Sequence, residues 1–406
     1  MSLQAKLGWA GLSILGAVAF AVVALFHGET VNAAWLVIAA VCIYLIAFRF
    51  YGLWIAGTVF GVDAKRTTPA VRHNDGLDYV PTNRYVLYGH HFAAIAGAGP
   101  LVGPVLAAQM GYLPGVLWIL AGVVFAGAVQ DMTVLFMSTR RDGRSLGDMI
   151  RSEMGAVAGN VASIGVLLIC VIILAVLALV VVNALKASPW GTFTVACTIP
   201  IAILMGIYGR FVRPGRIGEM SAIGLVLLIA ALLYGRTVAE TPALAAYFTF
   251  SGPTLALLII GYGFTASVLP VWFLLAPRDY LSTFLKVGTV ALLAIGVLIA
   301  HPQLQMPAIT KFIDGTGPVW AGSVFPFLFI TIACGAVSGF HSLVSSGTTP
   351  KMIESEKHIA VMGYGGMLTE SFVGIMAVIG ATSMTGRTIM MPIASNRIVP
   401  IFRKVG

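Results

Sequence analysis

Apolar residues run along this chain in blocks long enough to cross a bilayer, separated by short polar stretches. A spanning helix needs about 20 mostly apolar residues. Eleven blocks approach or pass that length, at 7–26, 33–60, 86–110, 115–137, 158–186, 191–209, 217–235, 252–276, 281–300, 321–347 and 359–382. The pattern predicts an all-α, polytopic transmembrane helical bundle of about eleven spans over residues 1–382, followed by an atypical basic tail at 383–406. The first block lacks a small-residue cleavage site and a basic n-region, so it reads as a span and not as a signal peptide.

Charge sorts with this count. Loops after even-numbered blocks carry Lys65, Arg66, Arg72 and Arg84, then Arg140, Arg141, Arg144 and Arg151, then Arg210, Arg213 and Arg216, then Arg278, then Lys351 and Lys357. Loops after odd-numbered blocks carry only Lys186, Arg236 and Lys311. Positive-inside sorting places the first set in the cytoplasm, and with it the N-terminus and Lys6. The tail breaks the alternation, because Arg387, Arg397, Arg403 and Lys404 crowd where the outside is expected.

Three blocks carry helix-breaking chemistry. The third, in "YGHHFAAIAGAGPLVGPVLAAQMGYLP", holds Gly97, Gly99-Pro100 and Gly103-Pro104. The eighth, "IIGYGFTASVLPVW", holds Gly261, Gly263 and Pro270 around Thr265 and Ser267, and the tenth, "CGAVSGFHSLVSSGTTPKM", is rich in small and hydroxyl residues. Proline removes a backbone N–H and obstructs the preceding turn. In hydrocarbon a freed backbone group survives only where protein buries it or where it lines a wet cavity. Blocks three and eight lie five apart and so cross in opposite directions. Paired breaks of that kind predict an inverted-repeat secondary transporter of the LeuT-like, interrupted-helix kind, with its substrate at the breaks. The competing reading is that glycines serve only close helix packing.

Composition agrees about the solvent: 59% of the 406 residues are hydrophobic and 10% charged, too few polar groups to cover a water-soluble surface. A net charge of +9 raises nucleic acid as a partner, but the basic residues sit in short loops between spans, and no nucleic-acid module is present. Cys42, Cys170, Cys197 and Cys334 are scattered within apolar blocks and read as small buried hydrophobes.

Ionisable residues inside the membrane are costly and so become candidates for function. His90 and His91 open block three, where they can contact an anion or relay protons, or else cap the helix or pair with a carboxylate. Gln130 and Asp131 lie toward the end of block four, with Arg140 and Arg141 as rival partners for the acid. His341 lies among Ser338, Ser342, Ser345 and Ser346, and Glu370 stands in the middle of block eleven with no basic residue close in sequence. Glu370 is therefore a proton-coupling candidate unless His341 neutralises it. Glu219 is expected to pair with Arg213 or Arg216. Short motifs fail: "GAGPLVG" misses the dinucleotide spacing, "SSGTTPK" misses the phosphate-loop spacing, and His90-His91 is not a zincin pair.

Longer stretches are more specific. "GHHFAAIAGAGPLVGPVLAAQMGYLPGVLWILAGVVFAGAVQDM", "STRRDGRSLGDMI", "GFHSLVSSGTTPKMI" and "GYGGMLTESFVGIMAVI" resemble the carbon starvation protein A family of bacterial inner-membrane transporters, over about Asn83 to Gly380. The resemblance implies a multi-pass inner-membrane secondary transporter that imports peptides or pyruvate-like carboxylates during carbon limitation. It also implies proton coupling, with sodium as the alternative ion and no other cofactor. Its partners would be a small-molecule substrate and the lipid bilayer. On the matching positions it points to His90, His91, Gly97, Gly99, Gly103, Gln130, Asp131, His341 and Glu370. The hydroxyls of Thr265, Ser267, Ser338 and Ser345 join them from the breaks. The sequence departs from the family after about Thr382, so a chain ended early is expected, and a nutrient sensor or an inactive truncated transporter is the alternative reading. An intramembrane metalloenzyme using His90, His91 and Asp131 is a further, weaker one.

Overall fold

The computed structural model describes residues 3–25 and 31–383, and every named element among them is helical. The basic tail lies outside the described residues. In chain order the elements are α1 Leu3–Leu25, α2 Ala33–Val59, α3 Arg84–Ile95, α4 Gly99–Met110, α5 Tyr112–Arg140, α6 Leu146–Met154, α7 Ala156–Leu185, α8 Pro189–Val212, α9 Ile217–Glu240, α10 Gly252–Val268 and α11 Leu275–Ala300. Irregular turns at 324–331 lead into α12 Ala333–Ala336 and α13 Gly339–Gly347, and α14 Glu356–Ser383 follows.

Among the described residues, 7 helices are long and apolar enough to cross a membrane, namely α2, α5, α7, α8, α9, α11 and α14, or up to 8 when α3 and α4 count as one bent span. This is a multi-pass helical membrane protein. Helix falls within each of the eleven predicted blocks, but α10 is shorter and the tenth block is in pieces, so length and composition carry seven or eight crossings.

Several helices start on side chains that accept an otherwise orphaned backbone N–H: Asn32 from Ala34, Asn83 from Tyr85, Ser188 from Gly191 and Ser251 from Thr254. The main core joins α2 (Leu36, Val37), α5 (Ile119, Val123, Met132, Leu135) and α14 (Tyr364, Met367, Ile375, Ile379). α14 is central, since most residues from Gly366 to Thr382 are buried. α7 is peripheral and buries only Gly159 and Val182, as expected of a helix whose solvent is lipid.

One bent span and the tenth block are broken. α3 and α4 meet at an angle of 42°, where Ala96 leaves helical geometry at φ −80°, ψ 68°. Pro100 does not cause the break but sits in the first turn of α4, where no N–H is missed. The second break falls between α12 and α13, where Val337 and Ser338 are extended. α4 packs on α12 and α3 on α13, so the two broken spans lie side by side and run in opposite directions.

Block eight departs from expectation. α10 runs unbroken through Gly261 and Gly263 and stops only at Val268, before Pro270. Glycine weakens a helix but keeps its N–H, so the hydrogen-bond ladder continues until proline ends it. The broken third block therefore packs against an interruption in the tenth block and not in the eighth.

Candidate functional site

Broken helices leave carbonyls that must find donors inside the protein. At the end of α3, Lys286 Nζ donates to Ala93 O at 2.9 Å and Ala96 O at 2.8 Å. Thr283 Oγ1 donates to Gly89 O at 2.7 Å, and Asp279 Oδ2 lies 2.9 Å from His90 Nδ1. Asp279, Thr283 and Lys286 follow one another at helical spacing along α11, which places them on a single face toward α3. At the other break, Gln130 Nε2 donates to Ser338 O at 2.6 Å.

Beside these breaks lies a buried charge cluster. His341 Nδ1 is 2.9 Å from Asp131 Oδ2, and its Nε2 is 3.0 Å from Glu370 Oε2, with all three side chains inaccessible to solvent. Cys334 Sγ donates to Glu370 Oε1 at 3.3 Å and lies 4.0 Å from His341 Nε2. α5, α12, α13 and α14 each contribute one member. Asp131 thus pairs across the bundle with a histidine and not with Arg140 or Arg141, which engage Glu356 and Glu153 instead. Cys334, read from sequence as an inert hydrophobe, is a polar neighbour of both His341 and Glu370.

The remaining predicted residues divide. His91 Nδ1 lies 2.8 Å from Thr349 Oγ1, and Ser345 is fully buried close by on α13. Gly97 and Gly339 mark open space at the two breaks: both are exposed, and a Cβ built at either meets nothing within 4 Å. Gly99 and Gly103 instead let the broken spans touch. A Cβ on Gly99 would come 2.5 Å from Cys334 Sγ, and one on Gly103 would collide with the Thr331 carbonyl oxygen. Thr265 and Ser267 are exposed on α10 and donate to carbonyls of their own helix, Gly261 and Phe264. They are not brought to the breaks, because the unbroken helix has no freed backbone there to serve.

Sequence reasoning missed Lys286, Asp279, Thr283 and Cys334. The signal available for the first three was their helical spacing on one face of an otherwise apolar helix.

Cys334 Sγ, His341 Nε2 and a Glu370 oxygen lie within 4.8 Å of one another, a donor set that a soft divalent cation accepts. Within the cluster Cys334 bonds to Glu370 Oε1 and His341 to Asp131 Oδ2, while Glu370 Oε2 and Asp131 Oδ1 are buried without a hydrogen-bond partner. Outside the membrane, the backbone N–H groups of Leu77, Tyr79 and Asp78 converge on Asp75 Oδ1 and hold its carboxyl below the usual range. They shape the loop that feeds α3. Arg140 grips Glu356 through two hydrogen bonds, of 2.7 and 2.8 Å, and ties the end of α5 to the start of α14. A cavity of about 360 Å³ opens elsewhere, between the loop at 78–83, α8, α9 and the turn before α11. None of the break residues lines it.

Comparison with known proteins places this arrangement. The chain is 67% identical over 373 residues to the peptide transporter CstA of Escherichia coli (strain K12), covering 92% of this chain and 53% of that protein. It is 62% identical over 374 residues to the pyruvate/proton symporter BtsT of the same organism, covering 92% and 52%. Against the peptide transporter CstA of Campylobacter jejuni it is 62% identical over 380 residues, covering 93% and 54%. The chain thus spans about half the length of these curated relatives. No solved structure matches it. With residues 32–399 matching the family described as Carbon starvation protein CstA, and with relatives this similar across nearly its whole length, the chain belongs to that family.

Proposed function

We propose that this protein is a secondary active transporter of small organic solutes across the bacterial inner membrane. The named solutes of its relatives, peptides and pyruvate, are the classes we assign to it, with the proton as coupling ion. The observation that carries the reading is the pair of antiparallel broken spans, with open space at Gly97 and Gly339 and a buried Asp131–His341–Glu370 cluster beside them. Interrupted helices of this kind line the substrate pathway of many secondary transporters, where the ends of half-helices turn their dipoles toward the ligand. We further propose that the chain crosses the membrane eleven times, with its N-terminus in the cytoplasm, following the loop charges.

With both acids ionised and the ring protonated, the cluster carries a net charge of −1. One further proton neutralises it. A buried charge resists separation from its partners far more than a neutral group does. Protonation from one side therefore loosens the contact between α5, α13 and α14, and release on the other side restores it. Solute and proton move together because Gly99, two residues beyond the open position at Gly97, lies against Cys334, which bonds to Glu370. Uptake of labelled pyruvate and labelled dialanine into proteoliposomes tests this. Accumulation driven by an inward proton gradient and abolished by a protonophore is expected, and accumulation indifferent to the gradient removes the proton from the mechanism.

A further inference from the structure

We propose that the Lys286 ammonium is the anchor for a carboxylate of the transported solute, seated in the gap at Gly97. This rests on the transport reading above and adds to it the residue and the chemical group by which the solute is held.

The first ground is charge. The other basic side chains near the breaks lie against acids: His90 Nδ1 is 2.9 Å from Asp279 Oδ2, and His341 stands between Asp131 and Glu370. Lys286 lies within ion-pairing distance of no carboxylate among the described residues, and its two hydrogen bonds end on neutral carbonyls. An ammonium has three N–H donors, so one is left over, and the acids that act on its charge, Asp279 and Glu370, do so from beyond ion-pair distance. A cation held in this way inside a membrane is costly and points to a functional partner.

The second ground is a comparison within the molecule. The freed carbonyl at the other break, Ser338 O, is satisfied by the neutral amide of Gln130. Completing a broken helix therefore does not itself require a charge. At α3 the same task is done by a residue that also brings one, and the charge needs its own explanation.

The third ground is space. Ala96 O lies 2.8 Å from the ammonium, and the next residue is Gly97, whose side-chain position is open. The open position thus adjoins the residue whose carbonyl holds the ammonium. Two residues further, Gly99 touches Cys334, which bonds to Glu370. A carboxylate on Lys286 thus sits beside the protonatable cluster, as coupling between solute and proton requires. Both solute classes assigned above carry a carboxylate at neutral pH, and it is the one ionised group they share.

The test measures binding of labelled pyruvate to the full 406-residue chain in proteoliposomes, with competition by pyruvate, pyruvamide, dialanine and dialanine amide. The acids are expected to compete at least tenfold better than their amides. Lys286→Gln should weaken pyruvate binding tenfold or more and erase the preference for acids, while Lys286→Arg should retain part of it. Where Lys286→Gln does not fold, Gly97→Val decides the matter: its Cβ has room, so it should melt like the parent while its added methyl groups close the gap and abolish binding. A folded Lys286→Gln that keeps the acid preference overturns the proposal. So do parent protein that fails to bind pyruvate or is displaced equally by acid and amide, and a Gly97→Val variant that binds as the parent does. Uptake of the same probes separates this inference from the transport reading. Concentration of amides as readily as acids overturns the anchor and leaves transport standing, whereas acid-selective binding without uptake under any gradient upholds the anchor and overturns transport.

Discussion

Nδ1 of His341 lies 2.9 Å from Oδ2 of Asp131, and neither side chain reaches solvent. Because Glu370 holds the other ring nitrogen, the imidazole is the only base between two acids. Removing one partner of a buried pair leaves an uncompensated charge and costs about 3–5 kcal/mol. Carboxyl groups escape part of that by taking up a proton. We expect His341→Gln to destabilise the folded chain by about 3 kcal/mol, read as a lowered unfolding midpoint in detergent. Asp131→Asn in the same background should then cost much less than it does alone. Additive losses would show that the two side chains do not act as a unit.

Glu370 belongs to the same cluster but stands nearest Cys334 and, through it, the solute gap. Replacing its carboxyl by an amide keeps the shape and removes the exchangeable proton. Glu370→Gln is expected to lose gradient-driven accumulation by at least tenfold while retaining exchange of labelled for unlabelled solute across the membrane. Loss of exchange together with accumulation would place Glu370 in solute binding and not in coupling.

Gly103 and Gly97 make opposite predictions about added bulk. At Gly103 a methyl group meets the Thr331 carbonyl oxygen, a backbone atom that cannot turn aside. Overpacking of this kind costs about 1–3 kcal/mol, so Gly103→Ala should lower the unfolding midpoint clearly. Gly97→Ala should leave the midpoint within error, because its Cβ enters open space. Equal effects at the two positions would mean that α4 is not in contact with the turn at Thr331 that leads into α12.

Much of the architecture was legible in hydropathy, because a block of apolar residues long enough to span must be helical in lipid. The individual members of the charge cluster were legible for the same reason: Asp131, His341 and Glu370 each stand out against apolar neighbours. The pairing of His341 with Glu370 was raised from sequence and is found at 3.0 Å, but that of Asp131 with His341 was not, since it joins residues more than 200 apart in the chain. Of the breakers named in the eighth block only Pro270 ends the helix, and the tenth block, also named as interrupted, is broken at a different place from its glycine-rich end. In α10 two glycines continue the helix, while the true break at Val337–Ser338 contains neither glycine nor proline. Lys286 escaped notice as one charge in a long apolar block, and only the carbonyls freed by α3 show why it is there.

Thr265 and Ser267 test which span partners the broken third block. If the eighth block carried the substrate, removing their hydroxyls would strip polar contacts from the site. In this fold both side chains are exposed on α10 and bond only to their own helix. Exchanges at such surface positions stay within about 0.5 kcal/mol, so the double variant Thr265→Val and Ser267→Ala should melt and transport like the parent. Gln130→Leu should do neither. It leaves the Ser338 carbonyl without its donor, at a cost of about 1–3 kcal/mol, and frees the segment between α12 and α13 that borders the solute gap. The expected outcome is full uptake in the first variant and uptake reduced several-fold in the second. The reverse pattern would return the substrate to the eighth block and make the interruption between α12 and α13 a feature of packing alone.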